Sequence, residues 1–255
     1  MAAPTKKECG SLVLALLREN HIIFGADRRH TRGDRTANYR DDTGLKTVPI
    51  LSGYGVVGFA GDDVGERILI PGRNNGLLEG KSLQSAAAAL HIWARERYKE
   101  YVPDFAKISS PPKVDFLLAG FDQSLNGKLT ATSYWLFAPE FVPYHAEYPS
   151  RKFEIIGRSQ HGALYALHRF HDRTQSPDSG LALVCFVLTE VCECDTTVGG
   201  TPQLYIIHKG ERAIEFKEEQ VSPVVEWAKT AALKLGASFQ KAPRLRQIPS
   251  SRKRV

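Results

Sequence analysis

The sequence has no long hydrophobic run. No stretch approaches the ~18 consecutive apolar residues of a membrane-spanning helix. The first ten residues, MAAPTKKECG, also lack the apolar segment of a secretory signal. We therefore expect a cytoplasmic protein that has no membrane partner.

Cysteine is scarce, with only Cys9, Cys185, Cys192 and Cys194 in 255 residues. This number is too small for a disulfide scaffold and favours free thiols in a reducing compartment. Cys192 and Cys194 are one residue apart on a predicted helix and do not share a face, so they do not predict a metal site. We expect neither a metal nor a cofactor.

Acidic residues are absent from the last 18 residues, which contain six basic ones. These six equal the whole excess of Lys and Arg (34) over Asp and Glu (28), so the remaining chain is close to neutral. We expect residues 238–255 to be a solvated, disordered basic tail, and a nucleic-acid or acidic partner is the less favoured alternative. The basic residues are Lys241, Arg244, Arg246, Arg252, Lys253 and Arg254.

The remaining composition, 42% hydrophobic and 24% charged, is that of a globular protein, and 255 residues can bury one sizeable core. The apolar runs Leu12–Leu17 and His21–Ala26 surround a polar turn and predict a buried β-hairpin. Residues 48–51 and 56–60 predict a second hairpin. The polar segment 28–43 between the two hairpins is predicted to be a loop.

The hydrophobic period then changes from that of strands to that of helices. Residues 82–101 are rich in Ala and free of Gly and Pro, and Ser82 can cap their start, so they predict a long helix. Because strands grouped in hairpins form antiparallel sheets whose faces helices must cover, the pattern predicts a layered α+β domain. Further strands are predicted at 114–120, 129–137, 204–208 and 213–216, and further helices at 162–170, 181–194 and 221–235.

The segment GSLVLALLRENHIIFGADRR resembles the start of a proteasome β-type subunit. In that family the mature chain begins with Thr or Ser after a processed Gly, and here Gly10 precedes Ser11. Asp27 lies 16 residues after Ser11, which is the family's spacing. The resemblance implies the four-layer αββα sandwich of the N-terminal-nucleophile (Ntn) hydrolases, with residues 1–10 as a removable propeptide and residues 11–237 as the domain.

Two further segments match the family. The segment VGFAGD at 57–62 resembles the one that follows the catalytic-lysine strand, and counting back 15 residues from Gly61 gives Lys46. If the register is set on Val48 instead, Thr47 takes the place of the lysine. The segment DTTVGG at 195–200 resembles the family's D-x-x-S-G-G.

The resemblance implies a catalytic role for each matched residue. A serine hydroxyl is a poor nucleophile until a base removes its proton. Here Ser11 is the expected nucleophile, and its own α-amino group, freed by loss of the propeptide, is the expected base. Lys46 and Asp27 are the pair that keeps this amine neutral. Gly61 is expected to donate a backbone N–H to the oxyanion, and Asp195 to orient the site.

The resemblance also places His30, Phe59 and Asp63 in the substrate pocket. Phe59 would narrow this pocket, and Asp63 would favour a basic or polar side chain. Two positions depart from the family, because Arg158 and Val198 stand where it has serines that bond to the nucleophile region. These departures weigh against efficient catalysis.

Two functions follow from the resemblance and remain open. The first is a proteasome-like peptidase that cleaves peptide bonds through Ser11. The second is a non-catalytic, proteasome-like structural or binding subunit that keeps the fold and the assembly surface. A different amide-directed reaction is also compatible with the residues. In each case we expect a ring-like homo-oligomer that uses part of the 82–101 helix, and the peptidase could also have an ATPase partner.

Overall fold

The computed structural model describes residues 11–33, 38–42, 44–80, 82–124, 126–157, 160–173 and 176–240. Its strands are β1 (Leu12–Leu17), β2 (His21–Ala26), β3 (His30–Gly33), β4 (Asn38–Asp41), β5 (Thr47–Ile50), β6 (Gly55–Gly61), β7 (Val114–Gln123), β8 (Leu129–Phe137), β9 (Tyr144–Glu147), β10 (Phe153–Gly157), β11 (Gln203–His208) and β12 (Ile214–Phe216). Its α-helices are α1 (Val64–Asn74), α2 (Leu83–Tyr101), α3 (Gln160–Phe170), α4 (Pro177–Cys194) and α5 (Glu218–Gln240).

The first sheet has the strand order β10-β1-β2-β11-β12, and each neighbouring pair is antiparallel. Every residue of β1 and β2 is buried, because both strands lie inside the sheet and both faces of the sheet are covered. This burial explains why the two strands are continuous apolar runs rather than alternating ones. The predicted β1–β2 hairpin is confirmed.

The second sheet has the order β5-β6-β7-β8-β9 and is also antiparallel throughout. The predicted hairpin that joins β5 to β6 is confirmed, with its turn at residues 51–54. Strands β6, β7 and β8 form the middle of this sheet and carry most of its buried residues.

Three apolar clusters hold four layers together. One cluster lies between the two sheets and includes Phe24 and Leu117. A second joins the outer face of the second sheet to α1 and α2, and includes Phe59. A third joins the first sheet to α3, α4 and α5, and includes Leu188 and Val221. The order helix, sheet, sheet, helix confirms the expected αββα sandwich.

The long helix α2 begins where its sequence predicts. The Ser82 hydroxyl accepts a hydrogen bond from the Ser85 backbone N–H at 3.0 Å, and the Ser85 hydroxyl accepts one from the Ser82 N–H at 3.1 Å. This reciprocal pair satisfies two N–H groups that the first helical turn leaves without intrahelical partners.

Five elements were not predicted or were predicted wrongly. The segment 28–43 contains the β3–β4 hairpin, so its prediction as a loop was wrong. Helix α1 was missed because Pro71 and Gly72 lie inside its pattern and resemble a break. Strands β9 and β10 were missed because they are short edge strands, and β9 has three exposed residues. Edge strands show little of the alternation that identifies a half-buried strand.

Among the described residues, no helix combines the length and the apolar character needed to cross a bilayer.

Glu154 on β10 is a buried acid whose ionisation should oppose folding. It lies beside Ala15 of β1, its side chain is buried, and its Oε1 atom has no hydrogen-bond partner. Burial raises the pKa of Glu154 from 4.5 to about 7. The folded state therefore holds the proton more tightly, so stability falls as the pH rises from the unfolded pKa through the folded one.

We expect the substitution Glu154→Gln to stabilise the protein by roughly 2 kcal/mol at about pH 8 and by much less at about pH 5. Urea unfolding at both pH values measures the difference. The control is Glu140→Gln, because Glu140 is exposed and pairs with Arg95. An equal effect of Glu154→Gln at the two pH values would contradict the assignment of a raised pKa.

Candidate active site

The site is built around the carboxylate of Asp27, which follows the last residue of β2. Asp27 is fully buried, and its two carboxylate oxygens accept hydrogen bonds from the Lys46 Nζ atom at 2.8 and 2.9 Å. Lys46 is itself 1% exposed and immediately precedes β5. Two charges removed from water in this way need each other, because an isolated buried charge is strongly unfavourable.

Backbone N–H groups from three places in the chain complete the environment of Asp27. The Leu12 N–H donates to Oδ1 at 2.9 Å. The N–H groups of Gly199 and Arg29 donate to Oδ2 at 3.1 and 3.2 Å. With Lys46, these donors fix the orientation of the carboxylate through charge-assisted hydrogen bonds.

Ser11 lies directly before β1 and is 2% exposed. The next residue, Leu12, bonds to Asp27 and pairs with Gly157 of β10. Gly157 has φ +104°, and a Cβ atom there would lie 2.0 Å from the Ser11 carbonyl oxygen. Only glycine allows this close approach, so Gly157 helps to fix the position of the Ser11 backbone.

Gly61 is the last residue of β6 and needs to be glycine for a similar reason. Its φ is +108°, and a Cβ atom there would lie 2.0 Å from the carbonyl oxygen of Lys113. The preceding residue, Ala60, faces the gap between the sheets, where its Cβ lies 3.0 Å from the Cβ position that Gly157 lacks. Gly61 therefore ends strand β6 close to the start of β1, where Ser11 lies.

Asp195 follows α4 and organises the turn that leads to Gly199. Its Oδ1 atom accepts hydrogen bonds from the Thr197 N–H at 2.9 Å and from the Thr197 hydroxyl at 2.5 Å. Val198, at the position of the family's serine, is fully buried in the apolar cluster between the first sheet and its helices. Packing of Val198 thus holds the turn in place, and the Gly199 N–H in this turn donates a hydrogen bond to Asp27.

Arg29 joins this turn to the β3–β4 hairpin, and no role was predicted for it. Its guanidinium donates to the carbonyl oxygens of Thr196 and Val198, both at 3.1 Å, and forms a two-point ion pair with Asp42 at 2.6 and 2.8 Å. The motif GADRR contained Arg29 two positions after Asp27. That spacing could have identified it.

No protein-family model matches the sequence, and no curated protein matches it. Solved structures do match the fold. Anbu from Pseudomonas aeruginosa, in a helical assembly, has a TM-score of 0.72 at 16% identity, over 95% of this chain and 100% of that one. Anbu (ancestral beta-subunit) from Yersinia bercovieri has a TM-score of 0.69 at 16% identity, over 93% of this chain and 100% of that one.

The fold is the proteasome-like Ntn-hydrolase fold. At 16% identity these neighbours establish the fold alone.

Of the three expected pocket residues, the structure describes the side chains of Phe59 and Asp63. Phe59 is 1% exposed and packs under α1, where its ring lies 2.4 Å from the Cβ position that Gly65 lacks. Asp63 is exposed and forms an ion pair with Arg67 at 2.8 Å. The side chain of His30 lies outside the described residues. The assignment of all three to the pocket stays a prediction.

Of the two positions that depart from the family, only Val198 is described. Arg158 lies outside the described residues. Between Lys46 and Thr47, the lysine is the residue that contacts Asp27. The Thr47 backbone N–H and carbonyl instead bond to the Gln203 side chain at 3.2 and 3.1 Å.

Cys192, on the last turn of α4, is a thiol near the candidate site. Burial first, and then the negative charge of Asp27, raise the pKa of Cys192 to about 12. The thiol therefore stays protonated at neutral pH. The described residues contain no group of three or more His, Cys, Asp or Glu side chains that could hold a metal ion.

Proposed function

We propose that this protein is a proteasome-like peptidase that cleaves peptide bonds through Ser11 after removal of residues 1–10. The observation that carries the proposal is the buried Lys46–Asp27 ion pair. The carboxylate of this pair accepts a hydrogen bond from the N–H of Leu12, the residue that follows Ser11. The proposal extends to residues 11–237 as the catalytic domain and to residues 238–255 as a tail without a catalytic role.

The proposed reaction begins with attack by the Ser11 Oγ atom on the carbonyl carbon of the scissile peptide bond. The Ser11 α-amino group takes the hydroxyl proton and later delivers it to the departing amine. The C–N bond breaks, and an ester between Ser11 and the acyl half of the substrate remains. Water then attacks this ester, with the same amine as base, and restores the free hydroxyl.

The other site residues act on this reaction through charge and position. Lys46 places a positive charge close to the N-terminus and so favours the neutral form of the amine. Asp27 holds Lys46 in place through two short contacts. A backbone N–H at Gly61 stabilises the oxyanion, and Asp195 keeps the 195–199 turn in shape.

The burial of this ion pair supports a functional role over a purely structural one. Replacing a buried ion pair by apolar side chains of similar volume is often neutral or stabilising, so stability alone is a weak reason to keep it. Buried charges with a specific partner are concentrated at catalytic sites. Here Asp27 follows the end of β2 and Lys46 precedes the start of β5, while Ser11, the first residue of the proposed domain, precedes the start of β1.

The second candidate is a non-catalytic subunit with the same fold. The buried Val198 supports it, because an apolar side chain cannot form the hydrogen bond that the family's serine forms. Under either candidate we propose a homo-oligomer. The P. aeruginosa neighbour forms a helical assembly, and α2 exposes Ile92 and Tyr101, which are apolar groups that an interface would cover. Peptide substrates and an ATPase partner belong to the first candidate only.

Intact mass of the purified protein tests the proposal. An α-amine joined to a preceding residue is an amide and cannot accept a proton, so the active form must begin at Ser11. We expect the measured mass to correspond to residues 11–255. A mass that retains Met1–Gly10, in a preparation that hydrolyses no peptide, would favour the non-catalytic subunit.

A further inference from the structure

A polar cavity lies at the end of the second sheet that is remote from Ser11. Gly61, near the site, pairs with the first residue of β7, whereas the cavity lies where β7 ends. The cavity has a volume of about 480 Å³, and the first turn of α2 together with β7, β8 and β9 forms its wall. Its lining includes Gln84, Asp122, Thr132, Tyr134, His145 and Glu147.

Two carboxylates share this wall without a cationic partner. The Asp122 Oδ2 atom accepts one hydrogen bond, from the Gln84 N–H at 3.1 Å. No Lys or Arg side chain pairs with Asp122 or Glu147 within the described ranges of the chain. Like charges in one concave site repel each other, so the cavity favours a ligand that is positively charged.

Tyr134 lines the same cavity as these carboxylates and is more than nine-tenths buried. Its ring stacks on that of His145, with 4.8 Å between the centroids and 29° between the planes. None of the hydrogen bonds within the described residues involves its hydroxyl. Burial, Asp122 and Glu147 together raise the pKa of Tyr134 to about 12, so the hydroxyl is neutral and able to accept or donate.

We propose that this cavity binds the guanidinium group of an arginine side chain. A guanidinium is planar, presents several N–H donors in a fixed geometry, and stacks on aromatic faces. It therefore suits a cavity whose lining includes two carboxylates, a phenol oxygen and a stacked ring pair. A lysine ammonium matches the charge but not the stacking, and the described residues hold no metal-binding cluster.

The arginine side chain can belong to this chain or to another molecule. One is the basic segment 241–255 of this chain, which contains four arginines and no acid. The other is a separate peptide. The binding site does not depend on any chemistry at Ser11, so it can be tested whether or not the protein is a peptidase.

The experiment titrates the full-length protein with the blocked tripeptide acetyl-Gly-Arg-Gly-amide and follows the His145 ring signals by NMR. We expect a saturable shift with the arginine peptide and none with acetyl-Gly-Gln-Gly-amide. Glu147→Gln should weaken binding about fivefold or more, and Tyr134→Phe should also weaken it. The control Glu140→Gln removes an exposed carboxylate elsewhere and should leave the affinity unchanged.

A variant with Arg244, Arg246, Arg252 and Arg254 replaced by Gln distinguishes the two sources. If the tail occupies the cavity, this variant shifts the His145 signals before any peptide is added and binds the tripeptide more tightly. If a separate peptide is the ligand, the variant and the native chain bind it equally. The proposal is overturned if neither binds it, if the glutamine peptide binds equally well, or if magnesium chloride alone produces the same shift.

Discussion

The substitution Ser11→Ala is expected to leave residues 1–10 attached and to lower peptide hydrolysis by about 10³-fold or more. Removal of a nucleophile leaves only the binding and oxyanion contributions to catalysis, which is why effects of this size are usual. Under the proposed function the same atom serves both steps, since Ser11 would first attack the Gly10–Ser11 bond and then attack substrates. Intact mass and hydrolysis of a panel of fluorogenic peptides measure the two effects separately.

Two matched variants sharpen this result. Ser11→Thr keeps a hydroxyl in the same place and should retain part of both processing and hydrolysis. Ser222→Ala removes a hydroxyl from the exposed face of α5, where it bonds to the Glu218 carbonyl, and should change neither. Unchanged hydrolysis in Ser11→Ala would rule out Ser11 as the nucleophile, and a retained N-terminal segment in the active native protein would rule out its amine as the base.

The substitution Lys46→Met should destabilise the fold by about 3 kcal/mol, because it leaves the carboxylate of Asp27 buried without its counter-charge. The aliphatic part of the side chain is preserved, so little packing is lost. The three backbone N–H donors to Asp27 remain and keep the loss from being larger. Urea unfolding near neutral pH measures the change in the free energy of unfolding.

The double variant Lys46→Met with Asp27→Asn isolates the charge effect. Once the carboxylate is neutral, loss of the ammonium should cost much less, so the two changes together should destabilise by less than their sum. Lys229→Met is the control, since Lys229 forms an exposed ion pair with Glu226 at 2.8 Å. This substitution should change the free energy of unfolding by under about 1 kcal/mol. Additive effects of Lys46→Met and Asp27→Asn would show that the pair is not coupled.

The sequence predicted the centre of the fold better than its edges. Strands β1 and β2 begin and end where their apolar runs do, because a strand covered on both faces is limited by polar residues at each end. The β3–β4 hairpin lies in an Arg- and Asp-rich segment without an apolar face, so periodicity gave no signal for it. Tertiary contacts rather than local pattern define such elements.

The candidate site could be predicted only in part. Sequence spacing identified Asp27 and left Lys46 and Thr47 as alternatives, since a shift of one residue reverses the face of a strand. The structure brings the Lys46 ammonium to Asp27, although the catalytic role of the pair stays a prediction. The GADRR motif could have identified Arg29 as a residue of the site, but its partners in the 195–199 turn could not be predicted, because they lie 167 and 169 positions away in the chain.

The residues that donate hydrogen bonds to Asp27 are synthesised at different times. Leu12, Arg29 and Lys46 are all made early in synthesis, but Gly199 lies 172 positions after Asp27. A ribosome builds the chain from the N-terminus, and domains fold as they emerge. A nascent chain that ends before Gly199 lacks the last donor to the carboxylate and the whole turn that delivers it. Under the proposed function, self-cleavage therefore waits until nearly all of the domain has been synthesised, which protects incomplete chains from their own nucleophile.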